Sequence, residues 1–212
     1  MQQSQRTYLP AAGRDWALPL YDPFVKLLGG EKTRRTLLEQ ADLGSQDRVL
    51  DVGCGTGTLA VMIKRLDPGV DVVGLDPDPN ALARARRKAE RAGLSVQLDQ
   101  GFSDELPYPD ASFDGVFSSF MFHHLPRDER ESTLREVRRV LAPGGSLHLV
   151  DFTHSEGVVE LMGRAGFQDS RKLAEGSMLF GLLRFAFYRA ASWSASVDSS
   201  PRLNAQLLPR AC

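Results

Sequence analysis

Residues 49–57 read Val-Leu-Asp-Val-Gly-Cys-Gly-Thr-Gly, an apolar run followed by glycine at every second position. The run, with Arg48 before it, reads as a buried strand ending at Val52. Gly53, Gly55 and Gly57 then allow a tight turn and a close approach of backbone to a ligand, because no Cβ intervenes. A helix from about Thr58 to Leu66 follows directly and presents free N–H groups at its start. Strand, glycine turn and helix in immediate succession open a βαβ unit, and the strands of such units pair in parallel.

The rest of the chain continues that alternation. Asp71 to Leu75 is a second strand, and Asn80 to Ala92 a strongly cationic helix closed by Gly93. Ser95 to Leu98 and Phe113 to Phe117 are further strands, and Arg127 to Leu141 is a helix with Leu134, Val137, Val140 and Leu141 on one face. After the turn Pro143-Gly144-Gly145 comes the strand Ser146 to Phe152, and then a helix from Val158 to Ala165, capped by Gly166. The spacing predicts two last strands, Gln168–Leu173 and Leu179–Tyr188. Upstream, a helical pattern spans Tyr21 to Ala41 with a break at Gly29-Gly30. Short apolar strands between helices imply an α/β fold with a mostly parallel sheet covered on both faces.

With 212 residues, 42% of them hydrophobic and 25% charged, the chain can bury one sizeable core. Twenty-six basic against 27 acidic side chains leave a formal charge of −1, which argues against a nucleic-acid binder that works by gross phosphate neutralisation. Two cysteines, Cys54 and Cys212, make no disulfide framework and point to a reducing, cytoplasmic setting. Met1 to Pro10 lacks the apolar core of a secretory signal, and the apolar stretch Met178 to Ala191 is too short to span a bilayer and is broken by Arg184 and Arg189.

The glycine turn admits several ligands on its own. A P-loop needs Gly-Lys-Ser/Thr, and this turn has no lysine. A dinucleotide loop needs its third glycine at position 58, which is Thr58, and Asp51 in the strand ahead of it would repel a diphosphate. A ligand carrying an amino-acid ammonium or a sulfonium suits Asp51 better. Asp76, 19 residues beyond Gly57, closes the second strand where an acid can accept hydrogen bonds from both hydroxyls of a ribose. A glycine turn that binds nothing is the plain structural alternative.

Residues 48–57, 72–77, 99–115 and 134–152 together resemble the class I S-adenosylmethionine (SAM)-dependent methyltransferases. The similarity is to the small-molecule branch that includes the menaquinone and ubiquinone C-methyltransferases, and it runs in order over residues 20–190. The stretches Leu106 to Asp114 (Leu-Pro-Tyr-Pro-Asp-Ala-Ser-Phe-Asp) and Glu136 to Gly145 (Glu-Val-Arg-Arg-Val-Leu-Ala-Pro-Gly-Gly) support it independently. The resemblance implies a Rossmann-like, seven-stranded sheet and SAM as methyl donor, leaving S-adenosylhomocysteine as product. It implies that Gly53, Gly55 and Gly57 line the methionine and ribose part of SAM, with Asp51 beneath the amino-acid end. Asp76 would bind the ribose hydroxyls, Pro77 would pack on the adenine, and Ser118 and Ser119 would stand beside the methionine ammonium. Where relatives carry Gly-Asp-Ala, this chain has Gly101-Phe102-Ser103. Phe102 would then stack on the adenine and the Ser103 amide would reach the ring, with Asp104 as an acidic substitute.

The resemblance also divides the chain. Residues 1–41 form an arm and helices near the substrate pocket, 42–190 the SAM-binding domain, and 191–212 a peripheral or disordered tail. The candidate bases are His123 and His124, just past the fourth strand at the carboxyl edge where doubly wound sheets bind ligands, and Tyr21 in the helix that relatives fold over the site. The competing reading of the histidine pair is a helix start that merely packs. No Cys/His spacing matches a metal site, and Cys54 fits its turn by small size. Arg84, Arg86, Arg87, Lys88 and Arg91 read first as a solvated helix face. The aromatic and leucine residues from Phe180 to Phe187 read first as a buried strand and second as a membrane-touching surface. Only Thr153 to Gly157 separate the fifth strand from the next helix, where relatives insert a helical lid, so the pocket is expected to be more open and to suit a bulky or lipid-like acceptor or a partner protein that completes the lid. The resulting reading is a SAM-dependent methyltransferase of a small or lipophilic acceptor. The rival reading is a non-catalytic SAM-binding or scaffold subunit.

Overall fold

In a computed structural model, residues 29–153, 157–179 and 181–192 are described. Helix α1 (Gly30–Glu39) precedes β1 (Arg48–Val52), α2 (Thr58–Leu66), β2 (Asp71–Asp76), α3 (Pro79–Arg91), β3 (Gln97–Gln100) and β4 (Phe113–Ser119). A 3-10 turn, Phe122–His124, leads into α4 (Arg127–Val140), followed by β5 (Leu141–Phe152), α5 (Val158–Arg164), β6 (Gln168–Met178) and β7 (Leu183–Ala191). The seven strands form one sheet in the order β3-β2-β1-β4-β5-β7-β6, parallel except for β7, which runs antiparallel to both neighbours. The expectations for Tyr21, Phe180, Cys212, the arm before residue 29 and the tail beyond 192 lie outside the described residues.

Strand alternation sends consecutive side chains to opposite faces of the sheet. Leu50, Val73, Val116 and Leu149 pack on one face with Leu134, Val137 and Val140 of α4 and with Val158, Leu161 and Met162 of α5. Their neighbours Val49, Val72, Phe117 and Val150 pack on the other face with Leu37 and Leu38 of α1 and with Leu59, Ala60 and Ile63 of α2. Both faces of the central strands are therefore dry, as their continuous apolar runs required.

Three element boundaries differ from the sequence reading. Strand β3 starts two residues later, at Gln97, after α3 has closed with Gly93 in the left-handed region and a Leu94 N–H to Ala89 carbonyl bond. Strand β5 starts at Leu141, because Leu141 already pairs with Phe113, and Pro143-Gly144-Gly145 bulges out before pairing resumes at Gly115 and Ser146. The last hairpin turns at Leu179 to Leu182, where Leu179 (φ 52°) and Gly181 (φ 92°) both take left-handed conformations. Residues 174–177, Ala-Glu-Gly-Ser, lack an apolar run yet continue β6 because it is an edge strand with solvent on its outer side. No helix among the described residues is long and apolar enough to cross a membrane.

Candidate active site

At the carboxyl edge of the sheet the chain leaves β1 through the glycine turn. Gly53 has φ 69° and donates its N–H to the Leu75 carbonyl at 2.8 Å, stitching the turn to β2. A Cβ there would fall 2.1 Å from Met121 Cγ, so only glycine fits. Gly57, at φ 72°, sits ahead of α2, where a Cβ would meet the Ala85 Cβ at 2.7 Å. Gly57 thus serves the packing of α2 against α3 and is not on the wall of the neighbouring cavity, contrary to its expected place beside the methionine.

That cavity lies over the turn. Its walls include Asp51, Gly53, Gly55, Asp76, Pro77, Phe102 and Ser103, all of them residues singled out from the sequence, together with Asp104. The Asp76 carboxylate accepts the Gly55 N–H at 2.8 Å on one oxygen and the Asp78 N–H at 3.0 Å on the other. Each oxygen keeps a second lone pair for a ligand hydroxyl. Burial raises the Asp76 pKa above the usual carboxylate value, and these two amides partly oppose the rise.

Asp51 is almost wholly buried, 1% exposed, and its Oδ2 has no hydrogen-bond partner among the described residues. Burial pushes its pKa up to about 7; the Arg34 guanidinium pulls against that shift, and the Asp76 charge adds to it. Arg34, on α1, is 8% exposed and also lines the cavity. A buried cation and a buried, under-bonded acid thus face one space, a donor set suited to a zwitterionic amino-acid group. Lys88 of the cationic helix bonds Thr58 Oγ1 at 2.7 Å and Thr56 Oγ1 at 3.2 Å, bracing the far side of the turn, while Arg86, Arg87 and Arg91 stand in solvent.

Two further expectations change. Of the serine pair expected beside the methionine, only Ser119 lines the cavity; Ser118 is buried and absent from its wall, as strand alternation requires. Of the histidine pair, only His124 lines the cavity. His123 is held behind it: its Nδ1 lies 2.6 Å from Asp151 Oδ1, and its backbone N–H donates to Asp151 Oδ2 at 2.8 Å. The two imidazoles pack with centroids 4.0 Å apart. Burial, and then the neighbouring His123, lower the His124 pKa below the ordinary imidazole value. Among the described residues no group of three His, Cys, Asp or Glu side chains is placed to hold a metal ion.

Comparison with known proteins bears on this geometry. The methyltransferase domain family matches residues 49–145. Over 154 residues the chain is 41% identical to a demethylmenaquinone methyltransferase of Thermus thermophilus, an alignment covering 71% of this chain and 69% of that protein. The chain belongs to the class I SAM-dependent methyltransferases. A demethylmenaquinone methyltransferase of Deinococcus radiodurans is 43% identical over 137 residues, covering 63% of this chain but only 56% of its own length. A SAM-dependent methyltransferase from Aquifex aeolicus shares the fold, with a TM-score of 0.66 at 22% identity over 84% of this chain and 98% of that one.

The cofactor of the methyltransferase family is SAM, and the cavity residues fit it. Asp51 and Arg34 suit the ammonium and carboxylate of its methionine part, the open carboxylate lone pairs of Asp76 suit a ribose, and Phe102 with Pro77 flanks the space an adenine needs. Sequence reading missed Arg34 and Asp151. The signal for Arg34 was present: Thr33, Arg34, Leu37 and Leu38 share the buried face of α1, so the arginine falls within an apolar stripe. The signal for Asp151 was an acid inside the apolar run Leu147 to Phe152, where a charge survives burial only with a partner.

Proposed function

We propose that this chain transfers the SAM methyl group to a small, quinone-type or otherwise lipophilic acceptor, with His124 as the base that takes the acceptor proton. The observation that carries the reading is the single cavity wall on which Asp51, Arg34, Asp76 and His124 converge. The names of the Thermus and Deinococcus relatives support the acceptor class. Bound SAM supplies an electrophilic methyl group on a sulfonium. The residues of the chain orient and desolvate: Asp51 and Arg34 hold the amino-acid end, Asp76 the ribose, and Phe102, Ser103 and Pro77 the base. Phe120 and Met121 make the apolar part of the wall on which a lipophilic ring would rest. His124 meets the requirement for a base, because its lowered pKa leaves the imidazole unprotonated at neutral pH. Residues 42–190 form the cofactor unit, to which the 1–41 segment contributes α1 and Arg34. Cys54 is free and buried, in keeping with a cytoplasmic setting.

Isothermal titration with SAM, S-adenosylhomocysteine and NAD tests the cofactor directly. Micromolar binding of the two sulfur compounds and none of NAD is the expected result, and an acceptor screen starting from quinone precursors follows. Tight SAM binding with no turnover on any acceptor would instead favour a non-catalytic SAM-binding subunit. Asp76→Ala weakens SAM at least about tenfold, because it removes the ribose acceptor and leaves the Gly55 and Asp78 amides without theirs. Unchanged affinity in that variant would remove Asp76 from the cofactor site.

A further inference from the structure

Along α4, Glu129, Thr133 and Glu136 recur at spacings of four and three residues and so share one side of the helix. Two of them grip the segment from Ser103 to Tyr108. Thr133 is buried with its Oγ1 2.9 Å from Ser103 Oγ, and the Glu136 carboxylate accepts the Leu106 N–H at 2.9 Å. Arg139, one turn further on, donates to the Leu106 carbonyl at 3.0 Å and to the Tyr108 carbonyl at 2.8 Å. The segment is thus fixed at several points against one helix, and Ser103 at its head, next to Phe102, is held in the cavity wall.

Glu129 opens that side of α4, in the first turn, and it too lines the cavity. Helical side chains lean toward the N-terminus, so Glu129 extends past the Thr133–Ser103 contact rather than back along the helix. It therefore stands beside the part of the wall that Ser103 forms. Its carboxylate makes no hydrogen bond and no ion pair among the described residues. Only its backbone is engaged, the N–H donating to the Pro126 carbonyl at 3.1 Å and the carbonyl accepting from Ser132 Oγ at 2.9 Å. The neighbouring glutamates of α4 differ, since Glu131 pairs with Arg135 and Arg164, and Glu136 with Arg139. Arg130, adjacent to Glu129 in sequence, directs its guanidinium to the Leu125 carbonyl at 3.1 Å and lies over the Phe122 ring.

The wall beside Phe102 and Ser103 is the part of the cavity assigned above to the nucleobase. An adenine presents an exocyclic amine, a donor that loses water on burial and needs an acceptor in exchange. A purine with a carbonyl in that position presents an oxygen instead, which a carboxylate repels. Asp104, the acid expected to serve from the segment itself, also lines the cavity but already interacts within the chain. Glu129 is the acid at that wall whose carboxylate keeps its full accepting capacity.

We infer that Glu129 accepts a hydrogen bond from the exocyclic amine of the bound adenine and sets the base specificity of the cofactor site. The inference rests on the SAM reading above, and one experiment separates the two. Wild type, Glu129→Gln, Glu129→Ala and Asp104→Asn are titrated calorimetrically with S-adenosylhomocysteine and with S-inosylhomocysteine, in which a carbonyl replaces the amine. Wild type should bind the adenosyl compound at least about thirtyfold more tightly than the inosyl compound. In Glu129→Gln, whose amide offers a donor as well as an acceptor, that preference should fall at least about tenfold through tighter binding of the inosyl compound. Glu129→Ala should bind the adenosyl compound about tenfold more weakly than wild type, and Asp104→Asn should keep the wild-type preference. A role of Glu129 in folding or packing alone would weaken both compounds together and leave their ratio unchanged, and that result overturns the inference. Wild type that binds the two compounds equally also overturns it and leaves the SAM reading intact. Loss of the preference in Asp104→Asn, with Glu129→Gln retaining it, overturns it in favour of Asp104. Wild type that binds neither compound removes the SAM reading itself, and the inference with it.

Discussion

Asp51→Asn should weaken SAM binding by about thirtyfold or more, since removing one member of a buried charge pair costs 2 kcal/mol at the least. Asp51 is the acid with a buried oxygen left unpartnered in the cavity wall, and a carboxylate there has an ammonium as its natural partner. The same variant changes two pH dependences. With the free-site carboxyl at about 7, a cationic ligand must expel a proton from Asp51 below that pH. Wild-type affinity should therefore fall by up to about tenfold per unit as pH drops from 7 to 5.5, and that slope should be missing in Asp51→Asn. Stability moves the opposite way. The folded pKa of Asp51 lies above its unfolded value of 3.8, so between about 4 and 7 the native state holds more protons than the unfolded one. Its contribution to stability is present at low pH and is lost as pH rises through that window. The melting midpoint of the ligand-free variant, relative to wild type, should accordingly increase as pH rises from 4 to 7. His124 and His148, whose lowered pKa values act in the opposite sense, are common to both proteins and cancel in the difference. A constant difference across that range would show that Asp51 is not the buried acid of the site.

Most of the fold was legible because its signals are local. The strand, glycine turn and helix at 48–66 depend on residues adjacent in sequence, and the cavity wall draws on the same local signals: Asp51, Gly53, Gly55 and Asp76 line it together. The errors arise where a neighbour in space decides. Gly57 has the spacing of a ligand-binding glycine, but Ala85 of α3 occupies the room its Cβ would need, which no local pattern discloses. Ser118 and Ser119 are interchangeable in sequence, and only the phase of β4 selects the one that faces the cavity. The bulge at Pro143 to Gly145 hides the first residues of β5, because pairing of Leu141 with Phe113 is a long-range contact. Arg34 and Asp151 are instructive for a different reason: each breaks the apolar pattern of its own element, and such breaks occur where function or a specific partner retains a charge.

The roles of the two histidines are separable by pH profile. His124→Ala should lower kcat by roughly a hundred- to ten-thousandfold, the range of a general base, while leaving SAM affinity unchanged. The sharper test is Asp151→Asn. Asp151 does not line the cavity; it is wholly buried and grips His123 at both the backbone N–H and Nδ1. Its carboxylate fixes the proton of His123 on Nδ1, and it also contributes a charge that raises the pKa of His124. An amide in its place can turn its NH2 toward Nδ1 and favour the other tautomer, loosening the ring on which His124 packs, so kcat should fall. Loss of the charge should at the same time move the acid limb of the kcat/KM profile to lower pH, since less now opposes the burial that keeps His124 unprotonated. Damage to packing alone would lower kcat without moving that limb. A limb that stays in place would leave Asp151 as a structural anchor for His123 and would send the search for the base to another residue.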